Sequence, residues 1–249
     1  MVRYQVILVY DGTEFRGFQR QANARTVQGA VEAALREIGW QGPSILSAGR
    51  TDTGVHASGQ VVAFDLDWGH TPEKLRSALN NHLPLDVAAQ AVSLAAPGFH
   101  PRHKALARRY RYRLFCRPVR DPLKERYAWR IWPAVDLACL QAAAVLLPGT
   151  HDFAAFGTPP RSKGRTVRDL MEAHWRVDGE DLIFDVVANA FLYHMVRRLV
   201  FAQVAVAQGK LELETLRSAL EEPQPKKIKG LAPPQGLTLI KVLYSDNLV

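Results

Sequence analysis

Hydrophobic and polar positions along the chain fall into two successive runs of strand and helix signals. Residues 2–10, VRYQVILVY, read as a strand by alternation and end at the turn pair Asp11-Gly12. Val27, Ala30, Val31, Ala34, Leu35 and Ile38 recur at helical spacing behind Thr26, a good N-cap. Short strands are predicted around Ser44–Ala48 and Gln60–Asp65, with a glycine-rich polar stretch between them. Thr71-Pro72 opens a second helix reaching about His82, because proline suits a first helical position, and Asp86–Ala95 reads as a fourth strand. The order is β-α-β-β-α-β.

The second half repeats that order without obvious internal identity. Leu106–Cys116 is a predicted strand, and Asp136–Leu147 a helix capped by Asp136. Thr166–Val177 and Leu182–Ala188 form a hairpin across Asp178-Gly179. A long helix follows over Phe191–Ala207, a short one over Leu213–Leu220, and Leu237–Tyr244 closes as a strand. Ser162–Arg165 and Gln224–Lys229 read as polar, basic loops, the second kept from helix by Pro223, Pro225, Pro233 and Pro234. The expected architecture is α+β: two ferredoxin-like halves, residues 1–105 and 106–249, with antiparallel sheets side by side, helices on one face and an active-site cleft between the halves.

Composition narrows the class. In 249 residues, 47% hydrophobic and 22% charged side chains describe a globular chain long enough to bury a real core. No secretory leader is visible, and the most apolar later stretch, 191–207, is interrupted by His194, Arg197, Arg198 and Gln203. A cytoplasmic protein without membrane attachment is expected. Cys116 and Cys139 are far apart and outside any CxxC pattern, so neither a disulfide framework nor a zinc site is expected.

Charge adds a partner class. The net charge is +8, and residues 99–130 hold eleven basic side chains (Arg102, Lys104, Arg108, Arg109, Arg111, Arg113, Arg117, Arg120, Lys124, Arg126, Arg130) against Asp121 and Glu125. The excess is concentrated in that one segment, which favours a polyanionic partner.

Candidate chemistry centres on Ala48-Gly49-Arg50-Thr51-Asp52-Thr53-Gly54-Val55-His56, running into Gly59-Gln60-Val61-Val62-Ala63-Phe64. Two glycines frame an arginine, an aspartate and a histidine in a loop between strands, where polar side chains can be held without breaking a core. On the residues alone, Asp52 reads first as a turn former or cap, and Arg50 as a surface partner. The string GRTDTGVHASGQVVAF, however, resembles the catalytic-aspartate motif of the pseudouridine synthases, in their transfer-RNA branch. Three further matches keep the family's order: Tyr10-Asp11-Gly12 with Phe15-Arg16-Gly17-Phe18-Gln19-Arg20-Gln21; Phe99-His100 leading to Ala107-Arg108-Arg109-Tyr110-Arg111-Tyr112; and Asn189-Ala190-Phe191-Leu192-Tyr193-His194-Met195-Val196-Arg197. Thr53 stands where alanine is usual, Phe18 where tryptophan is common, and Pro101 where alanine is more usual.

The resemblance implies an isomerase that converts uridine to pseudouridine at tRNA positions 38 to 40, in the anticodon stem-loop, acting as a homodimer and needing no cofactor and no metal. By the same resemblance Asp52 is the catalytic carboxylate, either attacking ribose C1′ or taking a C2′ proton in a glycal route. Arg197 is the family's basic residue paired with that acid; a guanidinium beside a buried carboxylate keeps it ionised. Tyr110 stacks on the flipped base, in place of the stacking lost on extraction. Arg50 assists flipping or meets phosphate, Phe191 and Leu192 line the pocket, and His56 either orders its loop or touches substrate. Arg16, Arg20, Arg25, Arg108 and Arg109 are expected phosphate contacts, and Asp11 a turn former. His100 and His103 lie three apart without a third ligand pattern, so a metal site is not expected. The rivals are a non-catalytic RNA-binding protein and a glycosylase that releases free base.

Overall fold

A computed structural model describes residues 1–160, 164–225 and 228–245; the expected loops 162–165 and 224–229 lie partly outside the described residues. The chain divides into two compact units, Met1–Leu106 together with the chain from Thr238 on, and Ala107–Leu237. Both are α+β, as expected. The division falls one residue from the expected one, but the closing strand belongs with the first unit instead of the second.

In the first unit β1 (Val2–Tyr10), α1 (Val27–Glu37), β2 (Leu46–Ser47), β3 (His56–Leu66), α2 (Pro72–His82) and β4 (Val87–Leu94) follow the predicted order. The antiparallel sheet runs β4-β1-β3, with β2 on β3, the arrangement of a ferredoxin-like half. Alternation along β1 buries Tyr4, Val6, Leu8 and Tyr10 on one face, in register with Phe64, Val62, Gln60 and Ala57 of β3. Thr26 caps α1 by accepting the Gly29 amide, and the α1 stripe Val27, Val31, Ala34 and Leu35 is buried. Thr71 caps α2 in the same way through the Lys74 amide. A late strand, β10 (Leu237–Leu243), pairs with β3 in parallel, Thr238 opposite His56.

The second unit holds β5 (Ala107–Cys116), β6 (Trp129–Ile131), α3 (Leu137–Ala144), β7 (Gly149–Asp152), β8 (Val167–Asp178), β9 (Asp181–Ala188), α4 (Met195–Ala207) and α5 (Leu213–Glu221). Its strands run β5-β9-β8-β7 antiparallel, with the short β6 parallel to β5. Tyr112, Leu114, Trp175, Phe184 and Val186 join Leu199 and Val200 in the core, where the Trp175 indole donates to Gln203 Oε1 at 2.8 Å. The predicted hairpin turns at Gly179, which takes φ +60°. Helix α4 starts at Met195 and not at Phe191, because His194 adopts a left-handed φ of 66° and Tyr193 pairs with Thr158 as an isolated bridge. Among the described residues no helix is long and apolar enough to cross a membrane.

The basic segment does not remain a free positive patch. One face of β5 pairs Arg109 with Glu172 (3.0 Å), Arg111 with Asp185 (2.9 Å) and Arg113 with Asp181 (3.3 Å), all acids of β8 and β9. Beyond the strand, Arg117 bonds Asp121 and Glu180, Lys124 bonds Asp181 at 2.6 Å, and Arg120 and Arg130 share Glu125. Part of the charge concentrated in the sequence is therefore compensated in space by acids of β8 and β9 more than fifty positions away.

Energies differ between these pairs and one in the first unit. Glu32 on α1 is fully buried and accepts from Arg20 Nη1 (2.5 Å), Gln28 Nε2 (2.8 Å) and the Ile45 amide (3.1 Å). Removing it leaves two buried donors without their acceptor, whereas the β5 arginines are partly solvated. Glu32→Ala is expected to cost about 3 kcal/mol and to lower Tm by about 6–12 °C. Arg109→Ala is expected to cost less than about 1 kcal/mol. Denaturant unfolding of both variants checks the ranking; equal losses would contradict it.

Candidate active site

The loop 48–56 is tied at each end by groups from two other segments. On its N-terminal side the Ala48 amide donates to Val61 O (2.9 Å), Gln60 Nε2 donates to Gly49 O (3.1 Å), and the Thr51 and Tyr10 hydroxyls are 2.8 Å apart. Phe18 donates its amide to Thr51 O at 3.0 Å. On the C-terminal side the Val55 amide closes a turn onto Asp52 O (3.2 Å), and the Gly54 amide donates to Phe15 O (3.3 Å). Asp52 is half-buried, while Thr51 before it and Gly54 and Val55 after it are buried. The aspartate thus sits on a segment whose backbone has few alternative positions.

Close approach explains the glycines of the Tyr10-Asp11-Gly12 motif. A Cβ at Gly12 would lie 2.0 Å from the Val55 carbonyl oxygen, so no larger residue fits without moving that loop. Gly17 takes φ +89° and already lies within 3.0 Å of Thr51 O at its Cβ position. Phe15 and Phe18 are buried beside this contact.

His56 is buried, accepts the Gly12 amide at Nδ1 (3.0 Å) and lies 3.2 Å from Asp11 Oδ1. Of its two expected roles, this geometry fits loop ordering. Asp11 also accepts from the Thr13 amide and hydroxyl, as a turn former does. Tyr10 is fully buried, and burial pushes its phenol up to about 12 despite the opposing hydrogen bonds with Thr51 and Gln60.

Among the expected phosphate contacts of the first unit, Arg16 and Arg50 are exposed. Arg20 is engaged with Glu32, and Arg25 holds Asp86 through both guanidinium ends (2.7 and 2.8 Å) while lying 4.1 Å over the Phe15 ring. Both have structural work that phosphate binding would have to share.

In the second unit Tyr110 is half-buried on β5 and meets Phe191 edge-on, ring centroids 5.1 Å apart. Arg108 donates to Asn189 O at 2.7 Å, and Asn189 is held in turn by Asp169. Leu192 is buried. Arg197 is buried at 9% exposure; its Nε donates to Ala232 O at 2.8 Å, and its own carbonyl accepts the Ala232 amide. The same turn accepts the Tyr112 hydroxyl at Pro233 O (2.7 Å). Burial raises the Tyr112 phenol well above its ordinary value, opposed by the Arg197 charge. Arg198 is half-buried and reaches Phe156 O at 3.5 Å. The 232–233 turn had no signal in the sequence beyond its prolines.

The His100 and His103 rings lie 4.2 Å apart, tilted by 51°, and burial together with that neighbour holds His100 below the ordinary imidazole range. Among the described residues no three His, Cys, Asp or Glu side chains gather as a metal site. Gln60 and Thr51, which tie this loop, carry no expected role in the sequence motifs. The signal available was a glutamine directly before the apolar run Val61-Val62-Ala63-Phe64, since a polar side chain in a buried strand needs a partner.

Comparison with known proteins follows these features along the chain. A family model described as tRNA pseudouridine synthase matches residues 6–102 and 143–245. Curated proteins called tRNA pseudouridine synthase A are similar over nearly the full length. The one from Chloroflexus aurantiacus is 38% identical over 98% of this chain and 89% of its own. Those from Streptococcus equi subsp. equi and a Geobacillus strain are each 38% identical, over 99% and 98% of this chain and 100% and 99% of theirs. A solved chain of a Cbf5-Nop10-Gar1 complex aligns over 97% of this chain and 51% of its own, with a TM-score of 0.40 and 11% identity, too distant to bear on the assignment. The chain belongs to the tRNA pseudouridine synthase family.

Proposed function

We propose that this protein isomerises uridine to pseudouridine in the anticodon stem-loop of tRNA, at positions 38 to 40, with Asp52 as the reacting carboxylate. The observation that carries the reading is the anchored loop 48–56, which holds the matched aspartate half-exposed directly after the buried Thr51. The reaction is balanced within the substrate: the N1–C1′ bond breaks, a C5–C1′ bond forms, the C5 proton leaves and N1 gains one. A carboxylate suits it by attacking C1′, or by removing the C2′ proton, while offsetting positive charge on the sugar. No group donor or change of oxidation state is required.

Tyr110 serves the same reaction as a stacking platform for the extracted base, and its edge contact with Phe191 supports a fixed ring orientation. Arg197 keeps the reacting acid ionised, and its bond to Ala232 O supports a fixed guanidinium. Arg50 and Arg16 are the exposed cations suited to phosphate. The protein works in the cytoplasm as a homodimer, each tRNA reaching both copies.

Pseudouridine mapping of tRNA incubated with wild type and Asp52→Asn tests the assignment. The variant is expected to bind tRNA normally and to lose turnover by on the order of 10³-fold or more. Undiminished turnover would remove Asp52 from the reaction, an abasic product would indicate a glycosylase, and unmodified RNA with wild type a binding protein. Salt dependence separates paired from available cations. Arg50→Gln is expected to reduce the slope of log K against log salt by about one, and Arg111→Gln, whose parent is held by Asp185, to leave it unchanged. Equal effects, read by filter binding, would contradict the division.

A further inference from the structure

We propose that Tyr10 and Gln60 are positioning residues for the reaction at Asp52, acting through the backbone and hydroxyl of Gly49 and Thr51; this rests on Asp52 being the reacting carboxylate. Both side chains come from adjacent strands of one sheet, Tyr10 ending β1 and Gln60 within β3, and both are buried. Gln60 cannot rotate its amide freely, because Oε1 accepts the Val61 amide at 3.1 Å while Nε2 donates to Gly49 O at 3.1 Å. The Tyr10 hydroxyl lies 2.8 Å from Thr51 Oγ1. Phe18, whose ring centroid is 6.4 Å from that of Tyr10, fixes Thr51 O from the other side.

Thr51 is thus gripped at side chain and carbonyl one position before Asp52, and Gly49 at its carbonyl three positions before. Tyr10, Thr51 and Gln60 are all buried, so the geometry of their bonds passes directly to the next peptide. Satisfying buried polar atoms requires partners for these groups but does not require that all of them converge on the residues leading into Asp52. Misplacing a reacting group by a fraction of an ångström lowers turnover and leaves ground-state binding of a large RNA nearly untouched.

The test measures kcat, KM and tRNA affinity well below the melting temperature for Tyr10→Phe, Thr51→Val, Thr51→Ser, the Tyr10→Phe/Thr51→Val pair and Asp52→Asn. Tyr10→Phe and Thr51→Val are each expected to lower kcat about tenfold with KM within about twofold of wild type. The double variant is expected to lose no more than either single one, since all three remove the same hydroxyl contact. Thr51→Ser, which keeps the hydroxyl, is expected to recover most of the loss. Unchanged kcat in Tyr10→Phe, losses that multiply in the pair, or a loss carried by KM would each overturn the inference. If Asp52→Asn is inactive while those outcomes occur, only the positioning role fails; if Asp52→Asn is active, the reading of the site fails and the positioning role with it.

Discussion

A loop that presents a charged side chain keeps one position only when its own amides and carbonyls are satisfied by something that does not move. Here that requirement falls on residues 48–56, and it is met from strands β1 and β3 and from the 11–18 segment lying against them. The approach of Gly12 to the Val55 carbonyl allows no side chain between the two segments. Sheet register, the Asp11-Gly12 turn and the buried Phe15 and Phe18 all converge on holding that one contact. The half-exposed aspartate inherits its order from the whole unit.

Electrostatics follows the same pattern of use close to home. The eleven cations of residues 99–130 look, in one dimension, like a binding patch for a polyanion. Folded, several of them line one face of β5 and answer acids on β8 and β9, so they hold a sheet together more than they reach outward. Charge along a sequence therefore overstates charge available to a partner. Arg50 within the anchored loop and Arg16 in the segment lying against it are both exposed.

Legibility in the sequence depended on how local the cause was. Helices α1 and α2 were readable because Thr26 and Thr71 cap them within one turn, and the β8–β9 hairpin because Gly179 makes its own turn. Strand β3 begins at His56, earlier than the apolar run suggests, because pairing and not side-chain character extends it through His56-Ala57-Ser58. The late start of α4 depends on a left-handed His194 that no composition rule marks. β6 and β7 are too short to show a period. The closing strand was visible as a strand, but its parallel place beside His56 and Ala57 comes from across the whole chain and leaves no local trace. The expected site residues Asp52, Tyr110 and Arg197 were nameable through resemblance, whereas the contacts of Tyr10 with Thr51 and of Gln60 with Gly49 come from the fold and leave no mark in the sequence.

The account stands on a rearrangement within one nucleotide, in which C5 of uracil loses its hydrogen and takes the sugar. Tritium release from tRNA carrying uridine labelled at C5 reports that step directly. One tritium set free for each modified residue, with RNA mass otherwise unchanged and no free uracil, is the predicted result. Label retained in the RNA, or released only together with uracil, would contradict it.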